Sequence, residues 1–313
     1  MADKKAVVIK KKKESLWANT RKHVPYVIFA LPAFLILFFI MYVPMGGIVM
    51  AFQDFKPFDG FFHSKFVGFD NFAFLFKSKS IFFRMTKNTL IYYVIFTGVG
   101  TFLNVVLAIA LDQFVFKKAG RVMQTMMIVP IFISYAAVQF IVYAFIASDN
   151  GLINRVLGTS ISFYSEAKYW PVIVTLTKIW NSVGYGSVLY MSVLAGIDTA
   201  LYEAAQIDGA NKWQQIWHIT LPSLVPMITV MLLLSVGNIM RSDTGLFYQV
   251  TRNSGALYEW TQVIDSYVLD AILTNPNYGF TAAASLFQST VGLVMMLIAN
   301  ATVKKISPEN SLF

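Results

Sequence analysis

Six apolar runs punctuate the chain near 25–50, 88–111, 122–147, 170–195, 223–240 and 280–303. Most match the roughly 20 residues that carry a helix across a bilayer. None alternates over ten residues as an outer-membrane strand would, and lipid offers no partner to an open backbone group, so helices are the predicted spans. Between the fourth and fifth runs, residues 202–222 (YEAAQIDGANKWQQIWHITLP) interrupt the pattern. Asp198 or Thr199 can cap a first helix, Asp208-Gly209 can end it in a left-handed residue, and Asn211 can cap a second. That predicts helix, tight turn, helix. In the second helix Trp213, Ile216 and Trp217 fall at i, i+3 and i+4, giving an apolar aromatic face on a segment too short and polar to cross lipid. Such a face suits a groove in another protein. Between runs five and six, Trp260, Val263, Ile264, Tyr267, Val268 and Ala271 recur at helical spacing, which predicts an amphipathic helix lying on the outer face.

Composition makes the bilayer the solvent: 57% of the 313 residues are hydrophobic, 13% are charged, and the mean hydropathy is +0.60. The expected fold is therefore all-α, a bundle of six transmembrane helices. A basic tail (1–23) precedes one membrane domain (24–305, with the polar loop 198–222), and a short tail (306–313) follows. The first run is too long for a secretory signal core and no A-x-A-like site closes it, so it is expected to stay as an anchor. The net charge of +9 is concentrated early, in Lys4, Lys5, Lys10 to Lys13, Arg21 and Lys22. No aromatic residues are interleaved for base stacking, so this cluster reads as an anchor to anionic headgroups on the cytoplasmic side and not as a nucleic-acid contact. Six spans then place both termini in the cytoplasm. Lys117, Lys118, Arg121, Lys304 and Lys305 agree; Lys56, Lys65, Lys77, Lys79, Arg84 and Lys87 in the first outer loop pull the other way, mixed with Asp54, Asp59 and Asp70. The absence of cysteine and the scatter of His23, His63 and His218 exclude disulfides and give no metal-ligand spacing. No G-x-x-x-x-G-K-[ST] loop occurs, and no span carries paired carboxylates or a Ser/His arrangement, which argues against an enzyme.

Polar residues inside apolar spans point to a path or to helix packing. Span three offers Ser134, Tyr135 and Gln139; span four Lys178, Trp180, Asn181, Tyr185, Ser187 and Tyr190; span five Ser235, Gly237 and Asn238. Amide and hydroxyl groups beside aromatic rings suit a saccharide, whose hydroxyls need partners and whose C–H faces stack on rings. Lys178 either snorkels to the outer interface or meets an acidic sugar. Gly184 and Gly186 either admit a ligand or allow close packing.

Glu203-Ala204-Ala205, then Gly209, then Ile219 and Leu221-Pro222, resemble the EAA loop of bacterial ATP-binding-cassette importer permeases. With YVPMGGIVMAFQDFKPF at 42–58 and the SPENSLF tail, nearly the whole chain resembles the oligosaccharide-type, maltose-permease-like carbohydrate permeases. The resemblance implies a type I importer permease of the bacterial plasma membrane, with 198–222 as a cytoplasmic coupling hairpin. Glu203, Ala204, Ala205, Asp208, Gly209, Ala210, Trp213, Ile216, Trp217, Leu221 and Pro222 would couple it to an ATPase, with Glu203 in the first turn of its helix and facing an arginine. The implied partners are a second, similar permease in a heterodimer, two ATP-binding subunits that hold ATP and Mg, and an extracytoplasmic sugar-binding protein, for which the 258–271 helix would be a docking surface or else a lipid anchor. The cargo path would use Trp180, Asn181, Tyr185, Ser235 and Asn238. A secondary transporter or channel working alone is the alternative, weakened by spans almost free of Asp and Glu.

Overall fold

The structure, a computed structural model, describes residues 16–73, 79–114 and 116–312. Lys4, Lys5, Lys10 to Lys13 and Lys77 lie outside the described residues, as do the side chains of Arg21, Lys22 and Lys117. Residues 16–49 belong to one unit, built on α1 (Leu16–Leu37) and the helical turns that follow it. The second unit, from Met50, holds the sites described below.

Among its helices are α2 (Lys79–Asp112), α3 (Lys117–Ile128), α4 (Tyr135–Ile146), α5 (Trp170–Leu194), α6 (Thr199–Ile207), the single turn α7 (Lys212–Gln215), α8 (Leu221–Val236), α9 (Ile264–Thr274) and α10 (Tyr278–Ile306). A two-stranded antiparallel ribbon pairs Gln53 with Phe66. Among the described residues, four helical stretches are long and apolar enough to cross a bilayer unaided: Val24–Phe52, Lys79–Asp112, Lys212–Val236 and Tyr278–Ile306. Two bent pairs bring the number to six, and the chain is a multi-pass membrane protein.

The bends correct the simple picture of six straight spans. Span three turns by 103° between Lys118–Phe132 and Tyr135–Ile146. Pro130 lacks an N–H, Ile133 and Ser134 are extended, and the Pro130 carbonyl accepts both from the Ile133 N–H at 3.1 Å and from the Asn181 amide at 2.8 Å, which ties the break to α5. Span five is longer than expected, because α7 runs without a gap through a wide turn (Ile216–Thr220) into α8. That wide turn explains how Pro222 fits: the Leu221 N–H reaches back to Ile216, and the proline follows where the helical ladder is already loosened.

Close helix contact decides the role of two glycines. A Cβ on Gly184 would stand 1.8 Å from the Met127 carbonyl oxygen, and one on Gly186 would stand 2.4 Å from the Asn104 amide. Packing, not ligand access, is what they serve.

At one end of α5 a dense cap collects Phe163, Trp170, Leu246, Phe247, Leu257 and Val263. The Trp170 indole donates to the Phe163 carbonyl at 2.7 Å. The expected outer helix is broken at Gln262–Val263, and Trp260, Tyr267, Val268 and Ala271 on it stay partly exposed. Val263 and Ile264 are buried by the chain's own helices, with Met85 and Met240 around Ile264. Two of the troublesome outer-loop cations are used here: Arg84 donates to Gln262 Oε1 at 2.6 Å, and Lys87 sits 5.2 Å from the centre of the Trp260 ring. The Asn88 amide donates to the Glu259 and Gln262 carbonyls at 3.1 and 3.0 Å, tying this segment to α2.

Candidate functional site

At the opposite end of α5 the chain turns by 73° into a hairpin, α6–turn–α7. Asp198 is the N-cap: its carboxylate accepts from the Ala200 N–H at 2.9 Å. At the C-terminus of α6, Gly209 takes φ +80°, the Gly209 N–H bonds Gln206 O at 3.1 Å, and the Ala210 N–H bonds Ala205 O at 2.8 Å. This pair of bonds is a Schellman closure, which a side chain at the left-handed position would strain. Asn211 and Gln214 then form a reciprocal capping box, with bonds of 3.0 and 2.7 Å. The two legs are joined by a 3.0 Å hydrogen bond between the Tyr202 and Thr220 hydroxyls. Every cap expected at 198, 208–209 and 211 is therefore present. Glu203 requires a correction: α6 starts at Thr199, so Glu203 lies in the second turn, beyond the reach of most of the helix dipole.

The hairpin has two distinct faces. Ala205, Asp208, Gly209, Ala210 and Gln214 surround a notch of about 280 Å³, with Glu203 and Ala204 exposed nearby along α6. Trp213, Ile216 and Trp217 point elsewhere. With Leu221 they line an apolar trough of about 790 Å³ whose other wall is Phe102, Val105 and Ile109 of α2. The aromatic face thus finds half of its groove within its own chain, yet Trp213 and Trp217 remain 72% and 65% exposed.

Toward the other end, a cleft of about 440 Å³ opens between α2, α5 and the end of α8. Ser235 and Asn238 line it, with Tyr92, Tyr93, Lys178 and Asp243. The Ser235 hydroxyl donates to the Leu232 carbonyl at 2.8 Å, so Tyr93 is the donor in their 3.0 Å hydrogen bond. Lys178 does not snorkel to water; its ammonium meets Asp243 at 2.9 Å. The strand of chain beside it is fixed by Gln288, whose amide donates to Met240 O at 2.7 Å, and by Asp265, which accepts from Ser242. Arg241 in the same cleft donates to the Ser289 hydroxyl at 2.9 Å. Tyr92 is 2% exposed and its hydroxyl has no partner among the described residues, an acceptor or donor left for a guest or water.

The other expected path residues part company. Asn181 is buried and spent on Pro130 and on the Tyr135 hydroxyl, which donates to it at 3.3 Å, so it braces the broken span and does not line the cleft. Tyr185 is exposed, two turns along the Lys178 face of α5 and about 10 Å from it. Trp180 is also exposed, but roughly 200° around the helix from Lys178. Sequence reading missed Tyr92, Tyr93, Arg241 and Asp243. The available signal was Lys178 itself: a cation within an apolar helix calls for a carboxylate, and Asp243 is the first one beyond span five.

Residues 97–308 match the family of binding-protein-dependent transport system inner membrane components. The polygalacturonan/rhamnogalacturonan transport system permease protein YteP of Bacillus subtilis (strain 168) is 30% identical over 309 residues, 97% of this chain and 95% of that one. Protein LplB of the same organism is 32% identical, over 89% of this chain and 88% of its own. A crystal structure of a bacterial alginate ABC transporter, in complex with an alginate pentasaccharide-bound periplasmic protein, superimposes with a TM-score of 0.82 at 30% identity, covering 94% of this chain and 99% of that one.

Proposed function

Because the chain belongs to the family of binding-protein-dependent transport system inner membrane components, we propose that it is the permease subunit of an ATP-driven importer for an acidic oligosaccharide. The observation that carries the mechanism is mechanical continuity. One helical column, Lys212–Val236, begins at the hairpin and ends at Ser235, beside the cleft. At 1.5 Å per residue it spans about 36 Å, so a displacement of the hairpin reaches the cleft through hydrogen-bonded helix and not through a loop.

The hairpin faces the cytoplasm, as do both termini, in the bacterial plasma membrane. The notch around Gly209, with Glu203 beside it, is gripped by an ATP-hydrolysing subunit, which holds ATP and Mg; an arginine there pairs with Glu203. A second, similar permease completes the channel as a heterodimer, and two ATP-hydrolysing subunits drive it. ATP binding draws the hairpins together and opens the cleft outward; hydrolysis reverses this. Support for an acidic cargo comes from two directions. YteP is named for polygalacturonan and rhamnogalacturonan, and the solved relative carries alginate. The cleft also holds two cations, Lys178 and Arg241, against one carboxylate, Asp243. A uronate can displace Asp243 from Lys178 while Tyr92 and Asn238 meet sugar hydroxyls. A channel or secondary transporter working alone is not favoured by these relatives.

The test is uptake by the assembled complex in proteoliposomes. E203K is expected to leave the protein in the membrane and to cut saccharide uptake tenfold or more, about 1.4 kcal/mol or above. Normal accumulation by that variant would remove the hairpin from the mechanism. Lys178→Gln is expected to lower uptake of oligogalacturonides about tenfold relative to a neutral oligosaccharide. Equal losses for both cargoes would count against charge recognition at this cleft.

A further inference from the structure

A strained turn closes the outer cap. After the helical segment Leu246–Val250 the chain stops at Arg252 (φ 56°) and Asn253 (φ 47°), two consecutive left-handed residues of which neither is glycine. Glycine would make the same stop without steric cost, so the side chains at these positions are what the strain preserves. The turn is held from several directions. The Arg252 and Asn253 N–H groups bond Gln249 O and Tyr248 O, both at 2.9 Å. The Asn253 amide donates to Asp270 at 2.7 Å and its oxygen accepts from the Tyr258 hydroxyl at 3.0 Å.

This rigidity places a guanidinium on a shelf of two rings. The Arg252 guanidinium carbon lies 4.8 Å from the Tyr143 ring centre and 5.9 Å from that of Tyr164. Tyr164 is fixed in turn, its hydroxyl donating to Val250 O at 3.3 Å and its ring edge-on to Trp170 at 5.0 Å. Burial pushes the Tyr164 phenol up to about 12, against the lowering pull of Arg252, so the ring stays neutral in physiological media. The shelf borders a depression of about 340 Å³ that also contains Ser148 and Asp149. Asn154, buried among the Ala147, Ser148 and Ile161 carbonyls, holds that loop in place. Arg252 itself is exposed and joins no ion pair among the described residues. None of these groups lines the cleft of Lys178 and Asp243.

We propose that Arg252, on its shelf of Tyr143 and Tyr164, is the anchor that receives an Asp or Glu side chain of the importer's saccharide-binding protein. The proposal rests on the importer reading above. A planar guanidinium that rests beside two rings and makes no ion pair among the described residues suits bidentate capture of a carboxylate, and Arg and Tyr are among the residues that dominate interface energetics. Asp149 decides between protein and saccharide. A polyuronate brings only carboxylates and would be repelled by Asp149, whereas a protein surface can set a basic residue against Asp149 beside the acid that meets Arg252.

The experiment uses the full complex in lipid nanodiscs, with its ATP hydrolysis followed while its soluble saccharide-binding protein is titrated. Arg252→Glu is expected to raise the half-saturating concentration about 30-fold and to abolish its salt dependence, with basal and saturated rates unchanged. Tyr143→Leu, an exposed position whose loss spares the buried cap, is expected to raise it about fivefold with no change in melting temperature. Asp149→Lys is expected to weaken docking by a similar factor. Unchanged half-saturation in Arg252→Glu, or a loss confined to acidic cargo, would overturn the assignment to a protein carboxylate. A wild-type complex indifferent to the binding protein at every concentration would overturn the importer reading, and this anchor with it.

Discussion

Where α5 begins, Trp170, Leu246, Leu257 and Val263 are fully buried, and the loops that carry them are packed on one another. Where α5 ends, about 37 Å away, Leu201, Ile207, Trp213 and Trp217 stay exposed although the backbone beneath them is capped at each helix end. The first end is stabilised by side chains, the second by backbone and cap hydrogen bonds. A hairpin with a fixed backbone and uncovered apolar side chains has the composition of a surface that is finished by contact with another molecule.

Substitutions can break this contrast. Trp170→Ala removes a buried ring and the indole bond to Phe163, and is expected to cost about 3–5 kcal/mol of stability. A large drop in melting temperature of the detergent-solubilised protein is the check, and a drop of a degree or less would mean that the cap does not hold the fold. Gly209→Val forces a β-branched residue into φ +80° and is expected to cost about 1–3 kcal/mol, confined to the hairpin. Hydrogen exchange should rise over 199–215 and stay flat over 246–264; a rise in both would show that the two ends melt as one. Asn211→Ala removes one cap and is expected to cost about 1 kcal/mol, with the same local pattern. Trp213→Ala should leave melting within about 0.5 kcal/mol of wild type, since the indole is mostly exposed. If it instead destabilised the isolated chain as Trp170→Ala does, the difference between the ends would be an illusion.

The hairpin was legible because caps are local chemistry: Asp198 reaches Ala200, Asn211 reaches Gln214, and Gly209 needs only its own φ. Spans were legible from apolar length for the same reason. The rest depends on partners far along the chain. The bend in span three relies on Asn181 meeting Pro130, 51 positions away, and the ion pair of the cleft joins Lys178 to Asp243 across 65. Residue type announced that Asn181 and Lys178 were unusual, but not whom they would meet. The stripe from Trp260 to Ala271 is ambiguous for a related reason, since it reads alike whether it covers lipid, a partner or, as Ile264 does, the chain's own Met85 and Met240.

The wide turn at Ile216–Thr220 holds one residue more than an ordinary helical turn would. A turn of this kind absorbs its extra residue by widening, so removing one residue there would close an ordinary turn and leave α7 on nearly the same face of α8. The surplus residue is thus taken up inside the column, and the bearing of Trp213 and of the Gly209 notch changes little with it.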